Sequence, residues 1–381
     1  MRGRVLAILL GTAACAESPV ERTSVHTDSA GIDIALAGSV DVDPAWTFER
    51  VRVLGGDDTG EQSFFAAVPG LVEADGTGNL YVLDNDANRI VVFDSAGDFV
   101  RSMGREGSAP DEFTLALAFS VSEGGTASLF DLGKRGIMRF GPAAEVLGVV
   151  PTPVDYFGGS FHLEAGVLTI PRQLMSEAGR TVLVRMTETD TAHLVSLPVP
   201  QRRAIQLTSC GMAFSGMPPV FTPTLRWTKR GTRTVVATSA EYDLLVFDGD
   251  SLVMRIRRDI VPSPATAELA VQDLGPAMEV RTEGGVRRCD PGEVVEQRGY
   301  ADVMPAIARL ILDPAGRLWV ERSHVRGQSA PIDVYDARGD YAGTLPASTP
   351  FPVTFLSANR MASIEVDELD VSRLVIHHIS H

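Results

Sequence analysis

Short apolar runs separated by turn residues fill residues 70–113. Each run ends in Asp, Asn, Gly or Ser, residue types that favour tight turns and, for Gly and Asn, tolerate a positive φ. The pattern predicts four strands, at 70–74, 80–83, 89–93 and 99–104. Four short strands joined by tight turns, recurring about every 40–50 residues, are typical of a β-propeller blade.

Parts of the same pattern return along the rest of the chain. The matching segments are 128–131 with 136–140, 166–170 with 181–186, 243–248, 313–320 with 332–339, and 361–365 with 372–376. The copy at 166–186 is the weakest. Together with 70–113 these segments predict six blades.

The N-terminal region predicts how the ring closes. Residues 51–55 resemble the fourth strand at 100–104, and 61–64 follow them much as 110–113 follow that strand. The last blade, which ends near Ile379, lacks a fourth strand of its own. We therefore expect the N-terminal strand to complete the last blade and to remove the exposed sheet edges.

Residues 70–113 resemble an NHL repeat in their Asp-Gly-Asn-type turn, Tyr-Val-x-Asp strand end, Asn-Arg-Ile start and Phe-Asp-x-x-Gly hairpin. The mature chain as a whole resembles the six-bladed β-propeller lipoproteins of bacteria, a family largely without assigned biochemistry. The resemblance implies an all-β, six-bladed propeller of four-stranded antiparallel blades. It implies the fold far more directly than an activity.

Two segments depart from the repeat. Residues 200–224 show no clean strand alternation, and about 262–300 form an insertion. In the insertion, Ser263 and Pro264 suit the N-cap and first position of a helix over 266–274. Insertions between blades emerge on a face of the disc, so we expect a lid or rim there. A surface elaboration without function is the alternative.

The N-terminus has the features of an export signal. Arg2 and Arg4 precede a short apolar run at 5–10, and small residues precede Cys15. This arrangement predicts a cleaved signal rather than a membrane span, which needs about 20 apolar residues. The predicted organisation is a signal at 1–15, a flexible tether at 16–31 and one propeller at 32–381.

Cys15 carries a more specific expectation. Small residues before a cysteine resemble the lipobox of bacterial lipoproteins, although Thr12 stands where that pattern usually has Leu. We expect Cys15 to be lipidated and to anchor the protein to a membrane of the cell envelope. The alternative is ordinary cleavage near Ala14 or Ala16, which would release a periplasmic protein.

The charge of the chain excludes one class of partner. Its formal net charge is −15 at pH 7, and its basic residues form no stripe. Such a surface repels phosphate backbones, so we expect no nucleic-acid partner. Apolar residues make up 44% of the chain, which is ample for a packed core.

Cys210 and Cys289 remain once Cys15 is lipidated or removed. An even pair in an exported protein predicts a disulfide, here joining the two irregular segments. Two separate buried thiols are the alternative.

The sequence contains no contiguous catalytic motif such as Gly-x-Ser-x-Gly, His-Glu-x-x-His or a phosphate-binding Gly-Lys-Ser loop. Its seven histidines are scattered. His377 and His378 are adjacent in a predicted strand, so their side chains would point to opposite faces and could not share one ion.

Acidic residues are the last residues of the second strand in several blades, and they would lie at equivalent positions on one face of the disc. The candidate ligand- or cation-binding residues there are Asp84, Asp86, Asp131, Glu321, Arg322 and Glu365. Carboxylate oxygens suit Ca²⁺, and the arginine would favour an anion. In the alternative interpretation each acid fixes its own loop, as Asp84 would with Arg89.

Three interpretations of the function follow. The first is a non-enzymatic binding module that presents one face of the disc to an unidentified envelope protein or small ligand. The second is a Ca²⁺-dependent hydrolase, such as a lactonase, or a lyase, whose site residues would come from several blades. A purely structural role in the envelope is the third interpretation.

Overall fold

The computed structural model of the protein describes residues 24–55, 64, 67–153, 156, 159–174, 179–238, 240–282, 285–366 and 371–381. The predicted signal and Cys15 lie outside these residues. The fold is all-β with two short helices, and it forms a ring of six blades. The predicted fold class is confirmed.

Three strands precede the first blade: β1 (Ser24–Ser29), β2 (Ile32–Ala37) and β3 (Thr47–Leu54). Blades one and two, with a short parallel pair between them, comprise β4 (Val72–Ala74), β5 (Leu80–Asp84), β6 (Arg89–Phe93), β7 (Phe99–Met103), β8 (Arg105–Glu106), β9 (Glu112–Phe113), β10 (Ala116–Val121), β11 (Ala127–Asp131), β12 (Gly136–Phe140) and β13 (Val146–Pro151). Blade three comprises β14 (His162–Glu164), β15 (Val167–Leu174), β16 (Arg180–Met186) and β17 (Thr191–Pro198).

A hairpin of β18 (Arg203–Leu207) and β19 (Met212–Met217) precedes blade four, which comprises β20 (Arg226–Arg230), β21 (Arg233–Ala237), β22 (Asp243–Asp248) and β23 (Ser251–Arg258). The insertion contains α1 (Ala267–Leu274), β24 (Met278–Thr282), β25 (Gly285–Cys289) and α2 (Pro291–Arg298). Blades five and six comprise β26 (Ile307–Leu312), β27 (Leu318–Arg322), β28 (Ile332–Tyr335), β29 (Tyr341–Leu345), β30 (Thr354–Ser357), β31 (Arg360–Val366) and β32 (Ser372–Ser380).

The ring closes as the sequence predicts. The sixth sheet has the order β3-β32-β31-β30, so the N-terminal strand forms its outer edge. The antiparallel register pairs Thr47 with Ser380 and Leu54 with Leu374. Chain start and chain end therefore share one blade.

Apolar side chains fill each of the six junctions between neighbouring blades. Large aromatic residues lie in these clusters: Tyr81 between blades one and two, Phe130 between two and three, and Trp319 between five and six. Burial of such large apolar surfaces is the main favourable contribution to the stability of the ring.

A repeated glycine–phenylalanine contact supports the similarity between the N-terminal region and blade one. Gly55 and Gly104 have φ values of +84° and +79°. A Cβ on either would come within 2.5 Å of a phenylalanine ring, Phe64 and Phe113 respectively. Both positions therefore favour glycine for conformation and for space. Residues 61–63, the other part of that similarity, lie outside the described residues.

The segment before β3 differs from the predicted tether. The described part of 16–31 forms β1 and the turn into β2, and β2 pairs in parallel with β23. Blade four thus becomes a six-stranded sheet. The chain then crosses blade five, where Thr344 N donates to Val42 O at 2.8 Å, before it enters blade six.

The insertion and the β18–β19 hairpin form one covalently linked unit. Cys210 and Cys289 are joined in a disulfide, which confirms the predicted bridge. Next to it, Glu293 of α2 accepts hydrogen bonds from Thr208 N at 2.6 Å and Ser209 N at 3.0 Å. Hydrogen bonds from the side chains of Ser209 and Thr208, together with these two N–H groups, lower the pKa of Glu293 to about 2.

The helices of the insertion differ in part from prediction. Helix α1 begins at Ala267 rather than after Ser263, because Thr266 caps it by accepting from Leu269 N at 3.2 Å. Pro264 instead forms an isolated bridge with Val303. Helix α2 was not predicted, although Asp290 followed by Pro291 is a regular helix start.

Candidate functional site

The face of the ring at which the innermost strands begin is called here the insertion face. Strand direction alternates across each blade, so the outermost strand ends at this face and the second strand ends there too. The β18–β19 hairpin and the insertion connect outermost strands to the next innermost strands, and so they emerge at the insertion face. The residues predicted from the second strands lie at the same face.

Two of those predicted acids, Asp131 and Asp84, form hydrogen bonds or ion pairs with residues of nearby loops. Asp131 is buried and accepts from the backbone N–H groups of Leu115 and Lys134 at 3.0 and 3.2 Å. Asp84 is also buried; it lies 3.7 Å from Arg89 and accepts a long hydrogen bond of 3.4 Å from Ala87 N. Burial raises the pKa of Asp84. Asp86, beside it, is exposed.

The other predicted residues have ionic partners. Glu321 accepts two hydrogen bonds from the guanidinium of Arg309, one of them at 2.6 Å. Arg322 binds Asp333 and Asp41. Glu365 lies 3.2 Å from Arg50 at the outer part of blade six. Within the described residues, no group of three or more His, Cys, Asp or Glu side chains could hold a metal ion.

The central channel is a cavity of about 410 Å³ bounded by the innermost strands of all six blades. Apolar residues form much of its wall: Leu225, Trp227 and Leu310 are partly exposed, whereas Phe161, Phe351 and Phe355 are buried behind it. The charged side chains of the wall are Glu73, Glu123, Arg226, Lys229, Arg230 and Arg309. This site was not predicted from the sequence.

Strand β20, with the sequence Arg-Trp-Thr-Lys-Arg, supplies three of the four cationic residues of the wall. Arg226, its first residue, is accessible to solvent but surrounded by protein, and the resulting desolvation lowers its pKa. Desolvation also lowers the pKa of Lys229, whose Nζ donates to Gly231 O at 2.7 Å. Three cations in five residues of an innermost strand were the signal available in the sequence.

Arg226 connects the channel to a second cavity. Arg226 and Ala308 line both the channel and a space of about 200 Å³ at the insertion face. That second space is bounded by Asp273 of α1 and by Met304, which follows the insertion. The channel therefore opens beneath the insertion.

An ion pair crosses the channel toward its other face. Arg230, at the end of β20 in blade four, lies 2.9 Å from Glu123 of blade two. The backbone of Glu123 also joins blades one and three, because its N–H donates to Glu164 at 3.0 Å and its C=O accepts from Gly76 N at 3.0 Å. These contacts tie four blades together across this end of the channel.

Glu73 of β4 lies in the channel wall. Burial raises the pKa of Glu73 to about 8, and the positive charge of Arg230 opposes that shift. Near neutral pH the carboxyl group is therefore mostly protonated and able to donate a hydrogen bond.

Arg309 links the channel to a predicted residue. Its guanidinium lies 4.3 Å from the centre of the Phe351 ring, and both side chains line the channel. The same guanidinium donates two hydrogen bonds to the carboxylate of Glu321. Glu321 thus contributes to the wall through Arg309.

The comparisons with known proteins agree with the fold. Residues 61–148 match a family model, DUF5128, that is described as a 6-bladed beta-propeller. No curated protein matches the sequence. In the described residues, neither helix has the length and apolarity that a membrane crossing requires.

Two solved structures show the same architecture. A protein of Bacteroides fragilis described as exported aligns with a TM-score of 0.50 at 13% identity, covering 91% of this chain and 100% of that one. A DUF4221 family member from Bacteroides vulgatus aligns with a TM-score of 0.52 at 8% identity, covering 90% and 98%. At these identities the similarity concerns the fold alone.

Proposed function

We propose that this protein is an exported binding protein, tethered to the cell envelope through Cys15, that holds a small ligand in its central channel. The observation that carries the proposal is the form of the channel. It opens beneath the insertion at Arg226 and Ala308, and the Arg230–Glu123 pair crosses its other end. A cavity of about 410 Å³ lies within the range of about 300–1,000 Å³ that is usual for small-molecule sites.

The Ca²⁺-dependent enzyme has less support. The candidate residues Asp84, Asp131, Glu321 and Glu365 contact partners within their own blades rather than one another. A gluconolactonase of Xanthomonas campestris aligns with a TM-score of only 0.37, which carries no weight for an activity. Melting the purified protein with and without a chelator tests this alternative directly.

The proposal is tested by filling the channel mouth. Ala308→Trp places a large side chain where the two cavities meet, and Ala96→Trp, at an exposed turn of blade one, is the matched control. Both variants and the parent are incubated with a small-molecule extract of the cell envelope and measured by native mass spectrometry. We expect the parent and Ala96→Trp, but not Ala308→Trp, to retain a bound molecule. Equal retention by all three would contradict the proposal.

Export and anchoring are tested separately. Labelling of the full chain with a radioactive fatty acid should be lost in Cys15→Ser. An unlabelled parent that is nevertheless released into the periplasm would leave the export proposal standing and remove the anchor.

A further inference from the structure

The channel wall has the opposite charge balance to the rest of the molecule. The chain carries a net charge of −15. The wall has four cationic side chains, Arg226, Lys229, Arg230 and Arg309, against the two carboxyl groups of Glu73 and Glu123. A positive concavity in an acidic protein concentrates anions at that place.

Two of the four cations already have carboxylate partners. Arg230 pairs with Glu123, and Arg309 pairs with Glu321. Among the described residues, Arg226 and Lys229 have no carboxylate within ion-pair distance. Of the two carboxyl groups in the wall, Glu73 is the one outside these pairs. The charge of Arg230 acts against the raised pKa of Glu73.

The surroundings of Arg226 make an anionic partner favourable. Arg226 keeps access to solvent, but the protein around it desolvates the guanidinium in part and lowers its pKa, and no carboxylate of the described residues lies within ion-pair distance. An anion beside the guanidinium would offset that desolvation and could form a bidentate, charge-assisted hydrogen bond. Arg226 also lies at the mouth, where a ligand enters.

The apolar wall indicates what the rest of the ligand resembles. Trp227, Leu225 and Phe351 line the same cavity as Arg226. Trp227 and Leu225 are partly exposed, so a bare inorganic anion would leave their surfaces in contact with water, whereas an apolar body would bury them.

Given the proposed binding function, we infer that the ligand is a small organic anion, with a carboxylate, sulfonate or phosphate head at Arg226 and an apolar body against Trp227 and Leu225. The neutral Glu73 carboxyl group can donate to a ligand acceptor deeper in the channel. The two sources of such an anion, a free metabolite or a lipid-derived acid, share this chemistry.

A matched pair of fluorescent probes tests the inference. 1-Anilinonaphthalene-8-sulfonate carries the anionic head, and N-phenyl-1-naphthylamine has the same rings without it. We expect the sulfonate to bind the parent with a stoichiometry of one, and the neutral amine to bind at least about tenfold more weakly, as expected for a lost charge-assisted contact. Ala308→Trp should abolish sulfonate binding.

The role of Arg226 is isolated with two variants and one control. Arg226→Gln should weaken sulfonate binding about tenfold and leave the amine unchanged. Arg226→Lys should recover part of the affinity, which a folding defect would not allow. Arg338→Gln, at a turn residue 69% exposed, is the control and should bind as the parent does.

The outcomes separate the inference from the proposed function. Equal binding of both probes, or sulfonate binding that survives Ala308→Trp, would overturn the inference. Absence of sulfonate binding would do the same, even where the extract experiment finds a neutral ligand in the channel. Octanoate and inorganic phosphate are then each tested as competitors of the bound sulfonate, which distinguishes an amphipathic acid from a head group alone. Displacement of the sulfonate by phosphate but not by octanoate would contradict the apolar body of the ligand.

Discussion

The Nη2 atom of Arg230 lies 2.9 Å from Oε1 of Glu123, and this contact joins blade four to blade two across the channel. Both side chains are partly exposed, at 24% and 43%. The pair should therefore contribute little to folding, about 0.5 kcal/mol, since solvent screens it. Its consequence is local, because it narrows one end of the channel and neutralises a cation near Glu73.

Glu123→Gln should open that end without unfolding the ring. Trp227 lines the channel and Trp319 is fully buried, so the variant is made in a Trp46→Phe background. We expect stronger quenching of Trp227 fluorescence by acrylamide and a change in the free energy of unfolding below about 1 kcal/mol. Glu106→Gln, at an exposed position of β8, is the control. Unchanged quenching would show that the pair does not close the channel.

Glu73 should make the stability of the protein depend on pH. Burial raises its pKa to about 8 from an ordinary value of 4.5. Between these values the folded state holds a proton that the unfolded chain has lost, so stability falls as the pH rises from about 5 to 8. We expect a loss of about 1–2 kcal/mol, which is below the full linkage value because the carboxyl group is partly accessible to water.

Glu73→Gln tests that dependence, because the amide cannot ionise. Urea unfolding at pH 5, 6.5 and 8 should show a flatter profile for the variant than for the parent, with the two most alike at pH 5. A parallel pair of profiles would assign the pH dependence to other groups.

In the Glu123→Gln variant Arg230 loses its partner, and its freed charge should lower the pKa of Glu73.

The disulfide should stabilise the insertion more than the ring. Cys210 and Cys289 are 79 residues apart, and in the chain-entropy picture closing such a loop in the unfolded chain stabilises the folded state by up to about 4.5 kcal/mol. The bridge lies in a cluster of its own, separate from the six junctions between blades. A Cys210→Ser, Cys289→Ser double variant should therefore be cleaved faster in 200–224 and 262–300 under limited proteolysis. Cleavage spread evenly over the blades would contradict this, as would two free thiols in the oxidised parent.

The ring could be predicted from the sequence because its determinants are local and repeated. Asp75 shows why: it accepts from Thr77 N and Asn79 N, both at 2.9 Å, within one five-residue turn. Asp313 does the same with Ala315 N and Arg317 N at 2.9 and 2.8 Å. A turn built from neighbouring residues leaves its pattern in every copy.

The channel site could not be predicted in the same way, because its partners are distant along the chain. Arg230 and Glu123 are far apart in sequence and meet only when the ring closes. The acids singled out from their equivalent positions are visible in the repeat, but the partner that occupies each one, such as Arg309 for Glu321, is not. Strand β2 was missed for a similar reason, since its neighbour β23 lies in blade four.

Asp333 should be the residue at which removal of one charge destabilises the protein most. Its carboxylate is fully buried and binds Arg258 at 2.5 Å and Arg322 at 2.8 Å, while both arginines also bind Asp41 of the N-terminal segment. Asp333→Asn leaves these two cations with one carboxylate, and the Arg258 side chain has no exposure to solvent. We expect a loss of about 3–5 kcal/mol in the free energy of unfolding, the usual cost of an uncompensated buried charge.

Urea unfolding of Asp333→Asn measures this loss, and Glu279→Gln is the matched control. Glu279 pairs with Arg288 at 2.8 Å, but the two side chains are 52% and 74% exposed, so its removal should cost less than about 1 kcal/mol. The network joins blade four, blade five and the segment that leads to β3, and its loss should therefore loosen ring closure as well. Faster exchange of the backbone N–H groups of β3 in Asp333→Asn than in the control would show that coupling. Equal stabilities of the two variants would mean that water or a rearranged side chain replaces the lost carboxylate.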